Sequence, residues 1–344
     1  MLYIVLLFIV LSFFLYVLLG GADFGAGTLE LFSGSAHKKS IKKTVYSVLG
    51  PVWEANHIWI VILIVILWIG FPDFYNIIVV YLHIPLTLVL LGITLRGVAF
   101  VFRHYDAVKD NTQLLYDRMF EISCLITPVF LGMTFGALLH GDLQTLEENP
   151  GASFTELYVH PWLQPFPVLT GFFFSALCAF LAATFLIGEA AAQEKRMYMR
   201  KAAKAVVAVV LTGFATLLTG YIQGNEFTAE FITSPLAIGA VALSGLLLYP
   251  LWGAIRTGRI IRCRFLAGLQ VLLILLAAIG PHFPDLIITR QGPVSLLANP
   301  AGEDVIKVLG ISLIVGGLLI IPGLIHLLKS FRMIKFLEES EAGK

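Results

Sequence analysis

The sequence predicts an all-α, polytopic membrane bundle of nine transmembrane helices, with the N-terminus outside and the C-terminus in the cytoplasm. Three observations carry the prediction. Of 344 residues, 58% are hydrophobic and 13% charged, and soluble domains carry about 25% charged residues. Nine apolar stretches approach the roughly 20 residues that a helix needs to cross the hydrocarbon. The basic residues also sort by side. Taking the stretches in order, 20 of the 23 Lys and Arg residues fall on alternate connections or on the C-terminal tail. Basic residues prefer the cytoplasmic side, which sets the orientation.

The predicted spans are 2–20, 48–69, 77–101, 120–139, 163–188, 205–222, 235–255, 265–280 and 305–328. The first is apolar from its start, with no basic n-region and no small-residue cleavage site, so it reads as a retained span and not as a removed signal. The eighth is short, and Pro322 interrupts the ninth. The outer connection 141–162 carries Asp142, Glu147, Glu148 and Glu156 without any Lys or Arg. The last outer connection, 281–304, mixes both signs. Connections of this length form lids or surfaces for another subunit. Cys124, Cys178 and Cys263 are scattered singly and read as buried small hydrophobes.

No stretch is long or polar enough for a soluble domain, so residues 1–344 read as a single transmembrane domain. Gly136-Ala137-Leu138-Leu139-His140-Gly141 and Leu218-Thr219-Gly220-Tyr221-Ile222-Gln223-Gly224 end two spans on the same side. They suggest a quasi-repeat of four helices each over 1–140 and 163–282, with the ninth helix, 305–328, added. Gly20, Gly21, Gly25, Gly27, Gly132, Gly136 and Gly141 allow close helix approach.

Ionisable groups at membrane depth are expensive and mark pathways or sites. Asp23 sits at the cytoplasmic end of the first span. Glu54 is expected about six residues into the second, roughly 9 Å deep at 1.5 Å per residue. His57 follows at i+3 and shares its face, and Trp53, Asn56 and Trp59 ring the same turns. A carboxyl in low dielectric tends to hold its proton, so two acids stepped inward read as a proton entry route. The alternative is that Glu54 hydrogen-bonds a neighbour and fixes packing. Arg96, a turn or two inside the third span, either snorkels to the interface or pairs with Asp23 or Glu54. Asp73, Glu121, Glu189 and Glu226 read as structural.

His57, His83, His140, His282 and His326 lie in or near spans on different helices, which keeps a haem-binding anchor subunit as a rival reading. There is no Walker loop, no H-E-x-x-H and no dinucleotide fingerprint, so phosphate and nucleic-acid chemistry have no support.

The segments Gly21-Ala22-Asp23-Phe24-Gly25-Ala26-Gly27 and Pro51-Val52-Trp53-Glu54-Ala55-Asn56-His57-Ile58-Trp59 resemble the signature of subunit II of cytochrome bd-type quinol oxidase. Leu95-Arg96-Gly97-Val98-Ala99-Phe100 and Phe135-Gly136-Ala137-Leu138-Leu139-His140-Gly141 do so too. The resemblance implies a multi-pass subunit of a prokaryotic inner-membrane oxidase that couples quinol oxidation to reduction of dioxygen to water. It implies that the b- and d-type haems belong to a larger subunit I, and that this chain binds none. Asp23 and Glu54 would carry a cytoplasmic proton pathway, supported by Trp53, Asn56, His57, Trp59 and Arg96. His57 stands where relatives have a different polar residue. Some relatives bind a structural quinone in this subunit, and a small single-helix accessory subunit is a further partner that the resemblance allows. The rival from the residues themselves is a proton-coupled secondary transporter with Glu54 as its coupling site. On the oxidase reading, Glu54→Gln and Asp23→Asn both slow oxygen reduction in an assembled complex, Asp23→Asn less severely.

Overall fold

The computed structural model describes residues 1–50, 53–105, 112–190 and 193–330. Among them, nine helices are long and apolar enough to cross a membrane: Leu2–Leu31, Trp53–Gly70, His83–Arg103, Thr112–His140, Pro165–Glu189, Lys195–Ile222, Pro235–Thr257, Ile260–Ile279 and Glu303–His326. They are called the first to ninth spans below. Without water in the hydrocarbon, a chain must satisfy its own backbone polar groups, and helices do so locally.

Several boundaries differ from the sequence reading, the fourth, sixth and eighth spans starting earlier than expected, and three differences bear on the site. The first span does not end at Gly20. It passes through a π-helical turn, Tyr16–Gly20, and continues as a helix over Gly21–Leu31. Glycine is a poor helix former in water, but every residue from Gly20 to Glu30 is buried, so packing decides. The second span starts at Trp53 and not at Val48. The preceding residues form a separate Lys- and Ser-bearing helix, Ser35–Leu49. The third span is preceded by its own short helix, Pro72–Tyr81, with Pro72 in its first turn and Asp73 beside it. Proline suits that position, where its missing N–H costs nothing.

Successive spans pair as antiparallel hairpins, and the fifth span packs against the fourth, the sixth and the Gly-rich end of the first. The fourth and fifth are the most buried. Their closest approach is built from glycine. A Cβ added at Gly132 would come within 2.8 Å of the Gly171 Cα, and one at Gly25 would overlap the Cys178 carbonyl. Such contacts bring backbones together where hydrophobic driving force is absent. Cys124, Cys178 and Cys263 are free and buried.

At the end away from the lysines, the two long connections join. A short antiparallel hairpin, Ile287–Thr289 with Gly292–Val294, bridges to Leu143. Arg290 pairs with Asp142 at 2.9 Å. The Thr289 hydroxyl donates to Glu148 at 3.1 Å, and Tyr81 accepts from the Leu146 N–H at 2.8 Å. The helix Phe154–Tyr158 starts with a capping box between Ser153 and Glu156. The Ser153 N–H donates to Glu156, and this holds the Glu156 carboxyl below its ordinary range. The result is one folded cap over the bundle.

Candidate functional site

At the lysine-rich end, the first, third and fourth spans enclose two stacked buried ion pairs. Asp23 pairs with Arg96, both side chains 0% exposed. Seven residues on along each helix, Glu30 pairs with Arg103, again with almost no exposure. Seven residues is about two helical turns, roughly 10 Å, so equal spacing on two helices repeats the contact.

Both arginines keep nitrogens without a hydrogen-bond partner, and the two pairs differ in how completely their carboxylates are satisfied. Arg103 Nη2 donates to both Glu30 oxygens, at 2.9 and 3.0 Å. Its Nε reaches Asp117 at 3.3 Å, and its guanidinium lies 4.3 Å from the Phe120 ring centroid. Asp117 also binds Lys42 at 2.5 Å. Glu121 binds Lys38, and Arg118 at 3.2 Å. This inner belt fastens the helix Ser35–Leu49 to the third and fourth spans. In the Asp23–Arg96 pair, which meets through Asp23 Oδ1 and Arg96 Nη2, hydrogen-bonding atoms are left over on both sides: Asp23 Oδ2 and Arg96 Nε and Nη1 lack a hydrogen-bond partner. Aromatic faces surround the Arg96 guanidinium, Phe24 at 5.3 Å, Phe120 at 5.6 Å and Trp53 at 5.9 Å. These attract the cation without consuming its donors.

Unpartnered polar atoms continue outward from Asp23. His57 Nδ1 and Nε2, Tyr16 Oη, Trp59 Nε1 and Ser12 Oγ are all buried without a hydrogen-bond partner. The His57 ring lies 6.0 Å from Tyr16 and 5.7 Å from Phe24. Buried polar groups are normally hydrogen-bonded, so a run of such groups along one seam is a place for ordered water. The π-helical turn falls inside this seam, and such turns recur at functional sites.

The structure therefore brings Asp23, Arg96, Trp53, His57 and Trp59 together and resolves the choice for Arg96, which pairs with Asp23 and does not snorkel. Asn56 is buried in the same turn. Glu54 is placed differently from expectation. It is the second residue of its span and is exposed on the surface of the chain, not buried six residues in. The cause is the separate helix Ser35–Leu49, which takes up the residues assigned to the span's first turns. Pro51 and Val52 lie outside the described residues. Glu54 and His57 also differ in burial, the carboxylate residue being exposed and the His57 ring nitrogens buried.

Sequence reasoning missed Glu30, Arg103 and Asp117 as partners, and Tyr16 and Ser12. Glu121, read as structural, is 1% exposed and ion-paired. The matched spacings 23/30 and 96/103 were visible in the sequence and mark the second pair.

Among the described residues, no group of three or more His, Cys, Asp and Glu side chains is placed to hold a metal. Of the span histidines, only His57 has both ring nitrogens buried without a hydrogen-bond partner among the described residues. His83 Nδ1 bonds the Val80 carbonyl at 2.8 Å, His140 bonds Asn225 at 3.1 Å and His326 is exposed. His282 lies beyond the eighth span, bonded to Glu230 at 2.6 Å.

Residues 1–331 match the family described as cytochrome bd terminal oxidase subunit II. The chain is 30% identical over 232 residues to cytochrome bd ubiquinol oxidase subunit 2 of Bacillus subtilis, covering 65% of this chain and 64% of that protein. It is 25% identical over 204 residues to cytochrome bd-I ubiquinol oxidase subunit 2 of Escherichia coli, covering 58% of this chain and 51% of that one. These matches thus span between half and two thirds of the curated relatives. The fold matches a chain of bd oxidase from Geobacillus thermodenitrificans with a TM-score of 0.76 at 17% identity, over 96% of this chain and 98% of that one.

Proposed function

Because the chain belongs to the cytochrome bd terminal oxidase subunit II family, we propose that it is the haem-free second large subunit of a quinol-oxidising, dioxygen-reducing terminal oxidase. Its role is to support assembly with a haem-carrying subunit I and to conduct protons from the cytoplasmic side toward the oxygen-reducing haem there. The observation that carries this reading is the fully buried Asp23–Arg96 pair with its leftover hydrogen-bonding atoms. An acid that only fixed packing would be saturated, as Glu30 is.

The haems of such an oxidase supply electrons to dioxygen, and the reading assigns them to subunit I. What this chain contributes is proton handling. Arg96 lowers the cost of a charged Asp23 in a dry setting, so that the carboxyl can alternate between states. The seam past His57 and Tyr16 gives ordered water a route. Glu54 is exposed on a membrane-spanning helix, where a lipid-facing carboxylate is costly. Burial against subunit I removes that cost and hands the proton to the partner. Within the same reading, residues 1–140 and 163–282 are related four-helix halves, consistent with their hairpin pairing.

The test is steady-state oxygen consumption by the purified complex. Glu54→Gln is expected to slow turnover on the order of 100-fold, the lower end of the range for loss of a proton-transferring group, while subunits and haem spectrum stay intact. Near wild-type turnover in that variant sinks the assignment.

A further inference from the structure

The sixth span carries a feature that the proton route does not use. At its lysine-rich end a cleft of about 390 Å³ opens between that span and the residues after the first span. Arg196, Arg200, Lys201 and Lys204 line it, with Phe32 and Met197 as apolar wall. A second cleft of about 400 Å³ shares Arg196 and Arg200 and adds Arg256, whose guanidinium lies 5.3 Å from the Trp252 ring. Among the described residues, no carboxylate lines either cleft, and none pairs with Arg196, Arg200 or Lys204. Lys201 is held in place by Ser33, to whose hydroxyl it donates at 2.5 Å.

This differs from the belt on the other side of the first span, where Lys38, Lys42, Arg103 and Arg118 all meet carboxylates. Like charges crowded without counter-ions repel, so a cluster of this kind is stable with an anion among it. The surface beyond the cleft says what the anion is attached to. Arg200, Lys204, Val207, Leu211, Phe214 and Leu218 recur at helical spacing on one face, and all six are exposed. Two cations at the end of a span are followed by an apolar stripe running about 20 Å down it at 1.5 Å per residue. A phosphate at the cations with a hydrocarbon chain along the stripe matches both halves. A free phosphate matches only the first.

We infer that the Arg196–Arg200–Lys204 cleft binds the phosphate of an anionic phospholipid whose acyl chain lies along Val207, Leu211, Phe214 and Leu218. Arg196 and Arg200 stand between the two clefts and serve headgroups on either side. Basic side chains near a membrane surface each contribute about 1 kcal/mol toward an anionic lipid.

The test is lipid titration by native mass spectrometry on the detergent-extracted protein with its copurifying chains, using phosphatidylglycerol and phosphatidylcholine as probes. Phosphatidylglycerol is expected to be retained over phosphatidylcholine. Arg196→Gln with Arg200→Gln should weaken it about 30-fold, the equivalent of two contacts of about 1 kcal/mol. Arg262→Gln, a change at an exposed cation outside the clefts, should leave binding unaltered, and Arg196→Lys with Arg200→Lys should keep most of it. Equal retention of the two lipids, or wild-type binding by the Gln pair, overturns the inference. So does displacement of the lipid by excess inorganic phosphate, which makes this a free-phosphate site. Loss of a copurifying chain from the Gln pair overturns it as well, because the face is then a subunit contact.

Discussion

Arginine meets aspartate at both ends of this molecule, and the two meetings are unlike. At the cap away from the lysines, Arg290 and Asp142 are 48% and 23% exposed. Water shares the charges there, and the contact joins two loops. At the lysine-rich end, Arg96 and Asp23 are fully enclosed. Neither charge has solvent to fall back on, so each is tolerable only because of the other. Placement, not residue type, makes the first contact a fastener and the second a candidate for chemistry. The comparison with Glu30–Arg103 sharpens this, since equal burial with both carboxylate oxygens hydrogen-bonded gives a structural joint.

The largest expected effect is from breaking the enclosed pair. Asp23→Asn leaves Arg96 charged and unpaired, which costs about 3–5 kcal/mol for a buried pair. The sequence reading expected an assembled, slower complex from this variant. The geometry predicts instead a fall in the amount of folded complex, measured by yield and thermal stability. Replacing both residues, Asp23→Leu with Arg96→Met, should recover much of the yield but not the turnover. Recovery of both would make the pair purely structural.

Next comes packing beside the pair. Gly25→Ala puts a methyl group onto the Cys178 carbonyl. Overpacking a tight contact typically costs about 1–3 kcal/mol, so the midpoint of thermal unfolding should fall, whereas Gly239→Ala, with open space around it, should leave it alone.

A smaller effect concerns pH at the end away from the lysines. Burial lowers the proton affinity of His282, and the neighbouring Glu230 carboxylate opposes this only in part. A histidine with a folded pKa below its unfolded value of about 6.5 binds fewer protons folded than unfolded. Its stabilising contribution is present above that pH and is lost as pH falls toward the folded value. Thermal stability should therefore decline between neutral and mildly acid pH, and His282→Asn should flatten that slope. An unchanged slope in the variant assigns the decline elsewhere.

The smallest effect belongs to the exposed pair. Arg290→Ala should cost no more than about 1 kcal/mol, as exposed ion pairs do, and that cost should shrink in high salt. A loss as large as that of Asp23→Asn erases the contrast between the two ends.

The nine spans were legible because lipid demands long apolar runs and basic residues keep to one side. The boundaries around Gly20–Leu31 and Ser35–Leu49 were not. A Gly-rich run reads as a breaker unless its buried contacts are known, and an amphipathic Lys helix blends into the span that follows it. Asp23 and Arg96 were legible as costly residues, but their pairing needed the third dimension. Glu54 was named as a buried acid and is exposed on the chain, because the sequence did not show where its helix begins. Tyr16 and Ser12 carry no charge, and periodicity among apolar neighbours does not single them out.

The most direct measurement is proton uptake from bulk solution during a single turnover of the purified complex with dioxygen, compared among wild type, Glu54→Asp and Glu54→Gln. The account predicts that uptake and oxygen reduction slow together in Glu54→Gln, with subunits and haem spectrum retained, and that Glu54→Asp keeps most of both. Unchanged uptake in an intact Glu54→Gln complex would contradict the route through this chain.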